Sequence, residues 1–151
     1  MLHFAYGSNM SREPMRQRCP EARNIGCAIL RNHRFVIMAN GYATVVPQPA
    51  ADVQGVLWRV SPRDLVSLDA YENIAGGLYR RTTLPVTHDV QSVPALVYIG
   101  EEPREGAPRK GYMELVIAAA RENGLSDGYI ERLSKLAPGR FSLSSGTGGR
   151  M

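Results

Sequence analysis

The order of the apolar segments constrains this chain more than any single motif. Leu2–Tyr6, Ile25–Leu30, Arg34–Ala39, Ala43–Val46, Gln54–Val60, Tyr79–Val86 and Val93–Ile99 read as short strands. Gln54–Val60 carries the pattern most clearly, with Val56, Trp58 and Val60 on one face at the two-residue period of a half-buried strand. Asn32-His33 reads as a tight turn, and Ser11 opens a short helix that runs through Arg18 and stops at Pro20. Ser61, Pro62 and Asp64 form a Ser-x-x-Asp variant of the capping box and start a helix that reaches about Glu72. Two further helices close the pattern. Arg109–Asn123 carries Tyr112, Leu115, Val116 and Ala119 on one face, with Gly124 as its stop, and a second helix starts at Ser126 and ends before Pro138. Strict alternation of strand and helix is absent, which argues against a doubly wound sheet. The expected fold is a mixed α/β (α+β) one: a small curved or closed mixed β-barrel of about six or seven strands, with helices packed at one side.

Composition sets the outer bounds. A chain of 151 residues suits one domain. With 44% hydrophobic and 21% charged residues it is neither bulk-disordered nor fibrous. Residues 1–140 are expected to form a single domain, and the small, polar end of the chain, 141–151, a flexible tail. No apolar run approaches a membrane span, and MLHFAYGSNM lacks the basic and apolar regions of a signal peptide, so a cytoplasmic protein with no membrane partner is expected. The net charge is +4, and all the basic residues except Lys110 and Lys135 are arginine. No basic run alternates with aromatic residues, so no nucleic-acid partner is expected. Cys19 and Cys27 are too few for a disulfide framework and are expected to be reduced and partly buried.

One carboxylate stands where an apolar side chain belongs. Leu65 and Leu68 mark the inner stripe of the helix after Ser61, and steps of three and four from them reach Glu72. An enclosed glutamate titrates closer to neutrality, as a general acid or base requires. The plain alternative turns Glu72 to solvent at a frayed helix end, or pairs it with Arg80 or Arg81. A second candidate is Tyr6-Gly7-Ser8-Asn9, at the end of the first strand. A turn there aims successive backbone N–H groups at one spot, where a carboxylate or an oxyanion binds. By itself it reads equally as an ordinary turn.

Other chemistries lack their residues. His3, His33 and His88 have no metal-ligand spacing, so no metal or cofactor is expected. Ser8 lacks a nucleophile elbow. Cys19 reads as an inert thiol. Asp69 either pairs with Glu72, faces outward, or caps a neighbouring loop.

Taken together, FAYGSNM, GYATVVP, VQGVLWRVSPRDLVSLDAYENIAGGLYRR and YMELVIAAARENGLSDGYIERLSKL resemble the γ-glutamylcyclotransferase family, in the family's order, from about Phe4 to Leu136. The specific matches are FAYGSN and, downstream of it, Leu-Asp-x-x-Glu at Leu68–Glu72 followed by Gly-x-Tyr at Gly77–Tyr79. The resemblance implies a compact barrel, Glu72 as acid/base residue, and Tyr6, Gly7, Ser8 and Asn9 as the substrate-holding loop. It also implies Tyr112 as a substrate contact, by looser alignment. The implied partner is a small γ-glutamyl substrate, converted to 5-oxoproline and a free amine or amino acid. Close relatives often have glycine at Asn73, so the shape of the adjoining loop is open. So are a γ-glutamylamine cyclotransferase, a biosynthetic deprotecting enzyme, a non-catalytic ligand-binding module, and assembly as a homodimer.

Overall fold

In the computed structural model, which describes residues 1–137, four of the expected strands merge into two. Strand β2 (Arg23–Ile37) runs straight through the expected turn at Asn32-His33, and β3 (Ala43–Arg59) runs through Pro47 and Pro49. The two pair antiparallel, Arg23 opposite Arg59 and Ile37 opposite Ala43, with register shifts at Asn24/Gly26 and Arg31/His33. Asn32 and Ala50 take positive φ, 61° and 66°. The Ala50 N–H donates to Asn32 Oδ1 at 3.1 Å. The turn-forming asparagine thus serves a bulge inside a long ribbon, and the register slips without reversing the chain. The reversal itself lies between Met38 and Tyr42, where the Met38 N–H donates to Tyr42 O at 2.7 Å.

The barrel therefore has five strands where six or seven were expected. With β1 (Leu2–Ala5), β4 (Tyr79–His88) and β5 (Gln91–Gly100), the closed order is β1-β3-β2-β4-β5. Its two closing seams are thin. The parallel pairing of β1 with β5 rests on His3 opposite Leu96, and the antiparallel pairing of β2 with β4 on Ile29 opposite Thr87. By contrast β1 is fully laddered to β3, from Leu2 opposite Arg59 to Ala5 opposite Val56. Gly55 makes that close approach feasible. A Cβ there would stand 2.3 Å from the Ala5 carbonyl oxygen and 2.7 Å from Phe4 Cζ, and Phe4 is fully buried.

Helices α1 (Arg12–Arg18), α2 (Pro62–Tyr71), α3 (Tyr112–Glu122) and α4 (Asp127–Ser134) cover the barrel. A single 3-10 turn, Ser8–Met10, joins β1 to α1. The expected capping box is present: the Asp64 N–H donates to Ser61 Oγ and the Ser61 N–H to Asp64 Oδ2, both at 3.1 Å. Ser126 caps α4 by accepting from the Tyr129 N–H. Ser11 sits at the N-cap of α1 but its side chain makes no capping bond. On α3 the expected stripe needs one correction. Met113, Val116, Ile117, Ala119 and Ala120 are buried, whereas Leu115 is 63% exposed. Cys19 is buried as expected, but Cys27 is exposed, because it lies on the outer side of β2; both are unbridged. No helix among the described residues is long and apolar enough to cross a membrane. The expected tail, 141–151, and the last three residues of the expected domain lie outside the described residues.

Candidate active site

The C-terminal end of β1, the end of α2 and the start of α3 meet around a cavity of about 230 Å³. Tyr6, Gly7, Ser8, Asn9, Glu72 and Tyr112, scattered over 107 positions of sequence from Tyr6 to Tyr112, all line it. The capping box fixes where α2 begins, and its length then brings Glu72 to the cavity as the C-cap residue. Asn73 stops the helix there with φ 53°. Asparagine tolerates this left-handed conformation better than other non-glycine residues, so the departure from glycine preserves the backbone path. Its Oδ1 also accepts from the Gly76 N–H at 3.1 Å.

Glu72 does not turn to solvent. Its Oε2 accepts from Asn9 Nδ2 at 2.9 Å. Arg80 and Arg81 are engaged elsewhere, with Glu101 at 3.6 Å and Asp69 at 2.5 Å. Asp69 also accepts from the Tyr98 hydroxyl at 2.7 Å. It therefore anchors α2 to β4 and β5 and does not pair with Glu72. Burial pushes the Glu72 carboxyl from 4.5 up to about 7; the Arg18 charge and the Asn9 hydrogen bond act against the rise but do not cancel it. The negative end of the α2 dipole works in the same direction as burial.

The loop opposite is held from several sides. Trp58 Nε1 donates to Asn9 O at 3.0 Å, Ser8 Oγ and the Tyr71 hydroxyl lie 3.2 Å apart, and Arg18 Nη1 donates to Asn9 Oδ1 at 2.6 Å. The Met10 and Ser11 N–H groups close the 3-10 turn onto Gly7 O and Ser8 O. The N–H groups that open such a turn have no acceptor within it, which leaves those of the Gly7–Asn9 stretch for another acceptor. Gly7 has φ −122°, so a left-handed backbone is not why it is glycine. Space is the reason: a Cβ there would lie 3.0 Å from the Tyr112 hydroxyl oxygen.

Sequence reasoning missed much of the wall. Tyr42, Tyr71, Tyr79 and Tyr98 join Tyr6 and Tyr112, so six of the chain's 7 tyrosines line this one cavity. Tyr79 donates to Ala43 O at 2.6 Å, and Tyr6 to Tyr98 O. Burial pushes Tyr6, Tyr79, Tyr98 and Tyr112 upward, so these phenols are neutral hydrogen-bonding groups. The exposed Leu115 also finds its place here, at the cavity wall. Among the described residues, no three His, Cys, Asp or Glu side chains gather into a metal-holding cluster. Cys19 does not line this cavity. Burial pushes its thiol up to about 11, in keeping with an inert group.

Residues 52–133 match the AIG2-like family, a span that includes Glu72, Tyr79, Tyr98 and Tyr112. The chain belongs to the AIG2-like family. A gamma-glutamylcyclotransferase of Mus musculus is 28% identical over 153 residues, with 93% of this chain and 80% of the mouse protein covered. The Homo sapiens protein of the same name is 28% identical, with 93% and 81% covered. A solved structure of a gamma-glutamyl cyclotransferase superposes with a TM-score of 0.85 at 26% identity, over 93% of this chain and 89% of that one. The likeness to the mouse protein and to this solved structure covers 93% of the chain and so reaches beyond the span 52–133.

Proposed function

We propose that this protein is a γ-glutamylcyclotransferase-type enzyme: it releases 5-oxoproline from a γ-glutamyl amide by intramolecular aminolysis, with Glu72 as the single acid/base. The observation that carries this reading is Glu72 itself, a carboxyl with a pKa near neutrality, enclosed beside the Tyr6–Asn9 loop. The names and coverage of the relatives support the same reaction class.

The attacking group belongs to the substrate. Its α-amine closes on its own γ-carbonyl carbon, a C–N bond forms in a five-membered ring, and the bond to the leaving nitrogen breaks. Tethering supplies what a separate nucleophile would otherwise provide, and well-oriented intramolecular reactions reach effective molarities of roughly 10⁵–10⁸ M. Glu72, ionised, takes a proton from the incoming ammonium. Glu72, protonated, returns it to the departing nitrogen and then relays the second proton that the ring nitrogen sheds, so the ammonium becomes the ring N–H, the amine leaves as an ammonium, and charge and protons balance over the cycle. Acid–base help of this kind contributes roughly 10²–10⁴-fold. A pKa of about 7 suits both halves, because neither protonation state is remote at neutral pH.

The carbonyl oxygen and the α-carboxylate both need donors. The N–H groups of the Gly7–Asn9 stretch, whose residues line the cavity, are assigned to one of them. The Tyr112 hydroxyl, close to Gly7 and donating to no described residue, is assigned to the other. A cavity of about 230 Å³ falls below the roughly 300–1,000 Å³ of pockets for drug-sized ligands. It suits the glutamyl head, with the leaving amine directed towards the mouth. The unbridged Cys19 and Cys27 accord with a cytoplasmic setting.

The test is a panel of γ-glutamyl dipeptides and γ-glutamyl alkylamides incubated with the protein, with 5-oxoproline read by mass spectrometry. Release from at least one compound is expected. Binding without release from any compound would favour the non-catalytic module.

A further inference from the structure

Among the described residues, Glu72 is approached by one fixed charge. The phenols of Tyr6 on β1, Tyr79 on β4, Tyr98 on β5 and Tyr112 on α3 all feel the carboxylate, and burial keeps each of them neutral. His3, on the same cavity wall, is held neutral as well: burial lowers it to about 4. On α2 itself, Asp69 is engaged by Tyr98 and Arg81. The remaining charge is Arg18, the last residue of α1.

Arg18 is placed with care. It is half-buried and makes no ion pair with an acid among the described residues. Its guanidinium lies 3.6 Å from the centroid of the Tyr71 ring, a cation–π contact that supports a partly desolvated charge. Nη1 donates to Asn9 Oδ1 at 2.6 Å, and Asn9 Nδ2 donates to Glu72 Oε2 at 2.9 Å. A guanidinium carries donors only. It must take the carbonyl end of the amide, and this leaves the NH₂ end for the carboxylate. The direction of the Asn9 side chain is thereby fixed by chemistry, where an isolated amide could sit either way round.

We propose that Arg18 is a positioning residue for Glu72: it clamps the Asn9 carbonyl so that the amide presents its N–H to the carboxylate, with a positive charge held behind it. The Arg18–Asn9–Glu72 chain favours the ionised glutamate, the form that accepts the first proton, against the enclosure that favours the neutral form. This inference rests on Glu72 being the acid/base residue. Its core, that Arg18 controls the titration of Glu72, can be measured without turnover.

The experiment compares the wild-type protein with Arg18→Met and Arg18→Lys. The Glu72 midpoint is read by carboxyl NMR titration of glutamate-labelled protein, its signal identified by its loss in Glu72→Gln. A direct opposite charge lowers a carboxyl by about 1–3 pH units. Acting through an amide, Arg18 is expected to contribute less. Arg18→Met should raise the midpoint by about 0.5–1 pH unit, and Arg18→Lys, which keeps the charge, should restore part of it. The acidic limb of kcat/KM should move upward in step, leaving activity about 3–10-fold lower below the limb and nearly unchanged well above it. A merely structural role would lower activity at every pH and leave the midpoint in place. Should Arg18→Met fail to fold by circular dichroism, Tyr71→Leu, which removes the ring under the guanidinium, and Arg18→Lys supply the same readout. An unmoved Glu72 midpoint in the folded variants overturns the proposal. Absence of 5-oxoproline from the wild type at every pH overturns the proposed reaction instead, while the NMR midpoint still judges Arg18.

Discussion

A carboxyl held near neutrality costs stability whenever it is ionised, and Glu72→Gln should release that cost. In the folded protein Glu72 titrates at about 7, against an ordinary value of 4.5. The folded state therefore binds the proton more tightly than the unfolded chain does. Stability is complete below about 4.5, falls as pH rises through the interval, and reaches its lower plateau above about 7. Each pH unit between the two values corresponds to about 1.4 kcal/mol, which caps the effect at about 3 kcal/mol. Glu72 is not sealed from solvent, and screening through the cavity mouth reduces the expected figure to about 2 kcal/mol. Glutamine keeps the shape, and its carbonyl can accept from Asn9, but it does not ionise. For a chain of this size, 2 kcal/mol corresponds to about 4–8 °C in Tm. Thermal unfolding of both proteins, followed by circular dichroism at pH 4.5 and 8.5, should give similar Tm values in acid and a more stable Glu72→Gln in base. Equal gaps at the two pH values, or a wild type more stable in base, would refute the claim that Glu72 is enclosed.

Gly7→Ala should place a Cβ against the Tyr112 hydroxyl, 3.0 Å away, and push that side chain from its position. Misplacement of about 1 Å can cost up to 10²-fold in rate, so kcat/KM should fall by about that order while the fold persists; full activity would remove Gly7 and Tyr112 from the site. Asn73→Ala should cost about 1–2 kcal/mol in denaturant unfolding, because a Cβ-bearing residue other than asparagine resists φ 53°. Asn73→Gly should be nearly neutral, and equal stability of the alanine and glycine variants would contradict this account of the loop.

The elements that were legible in the sequence are those whose cause is local. The Ser61–Asp64 capping box, the Gly124 stop and the Ser126 cap are short-range hydrogen-bonding devices, and each stands where its residues announce it. The long ribbon of β2 and β3 was not legible. Asn32, Pro47 and Pro49 are turn and breaker residues, and only pairing with a distant partner makes them members of a bulged strand. The candidate site divides along the same line. Glu72 interrupts an apolar stripe and the Tyr6–Asn9 loop ends a strand, so both leave local traces. Tyr71 and Tyr98 leave none, since a tyrosine in a strand or helix reads as ordinary core until closure of the barrel turns it toward the cavity, and Tyr42, in the turn before β3, reads as part of a loop. Arg18 is hidden for a similar reason. Its partners, Asn9 and Tyr71, come from two separate segments, and Pro20 marks only where its helix stops.

Everything proposed for the chemistry depends on one proton carrier. The most direct measurement is 5-oxoproline release at pH 8 from the best γ-glutamyl compound of the panel, compared between the wild type and a folded Glu72→Gln. Measurable release by the wild type and loss of at least about 10²-fold in the variant are predicted, the lower end of what a general acid–base group contributes. Turnover by Glu72→Gln within a few-fold of the wild type would contradict the account.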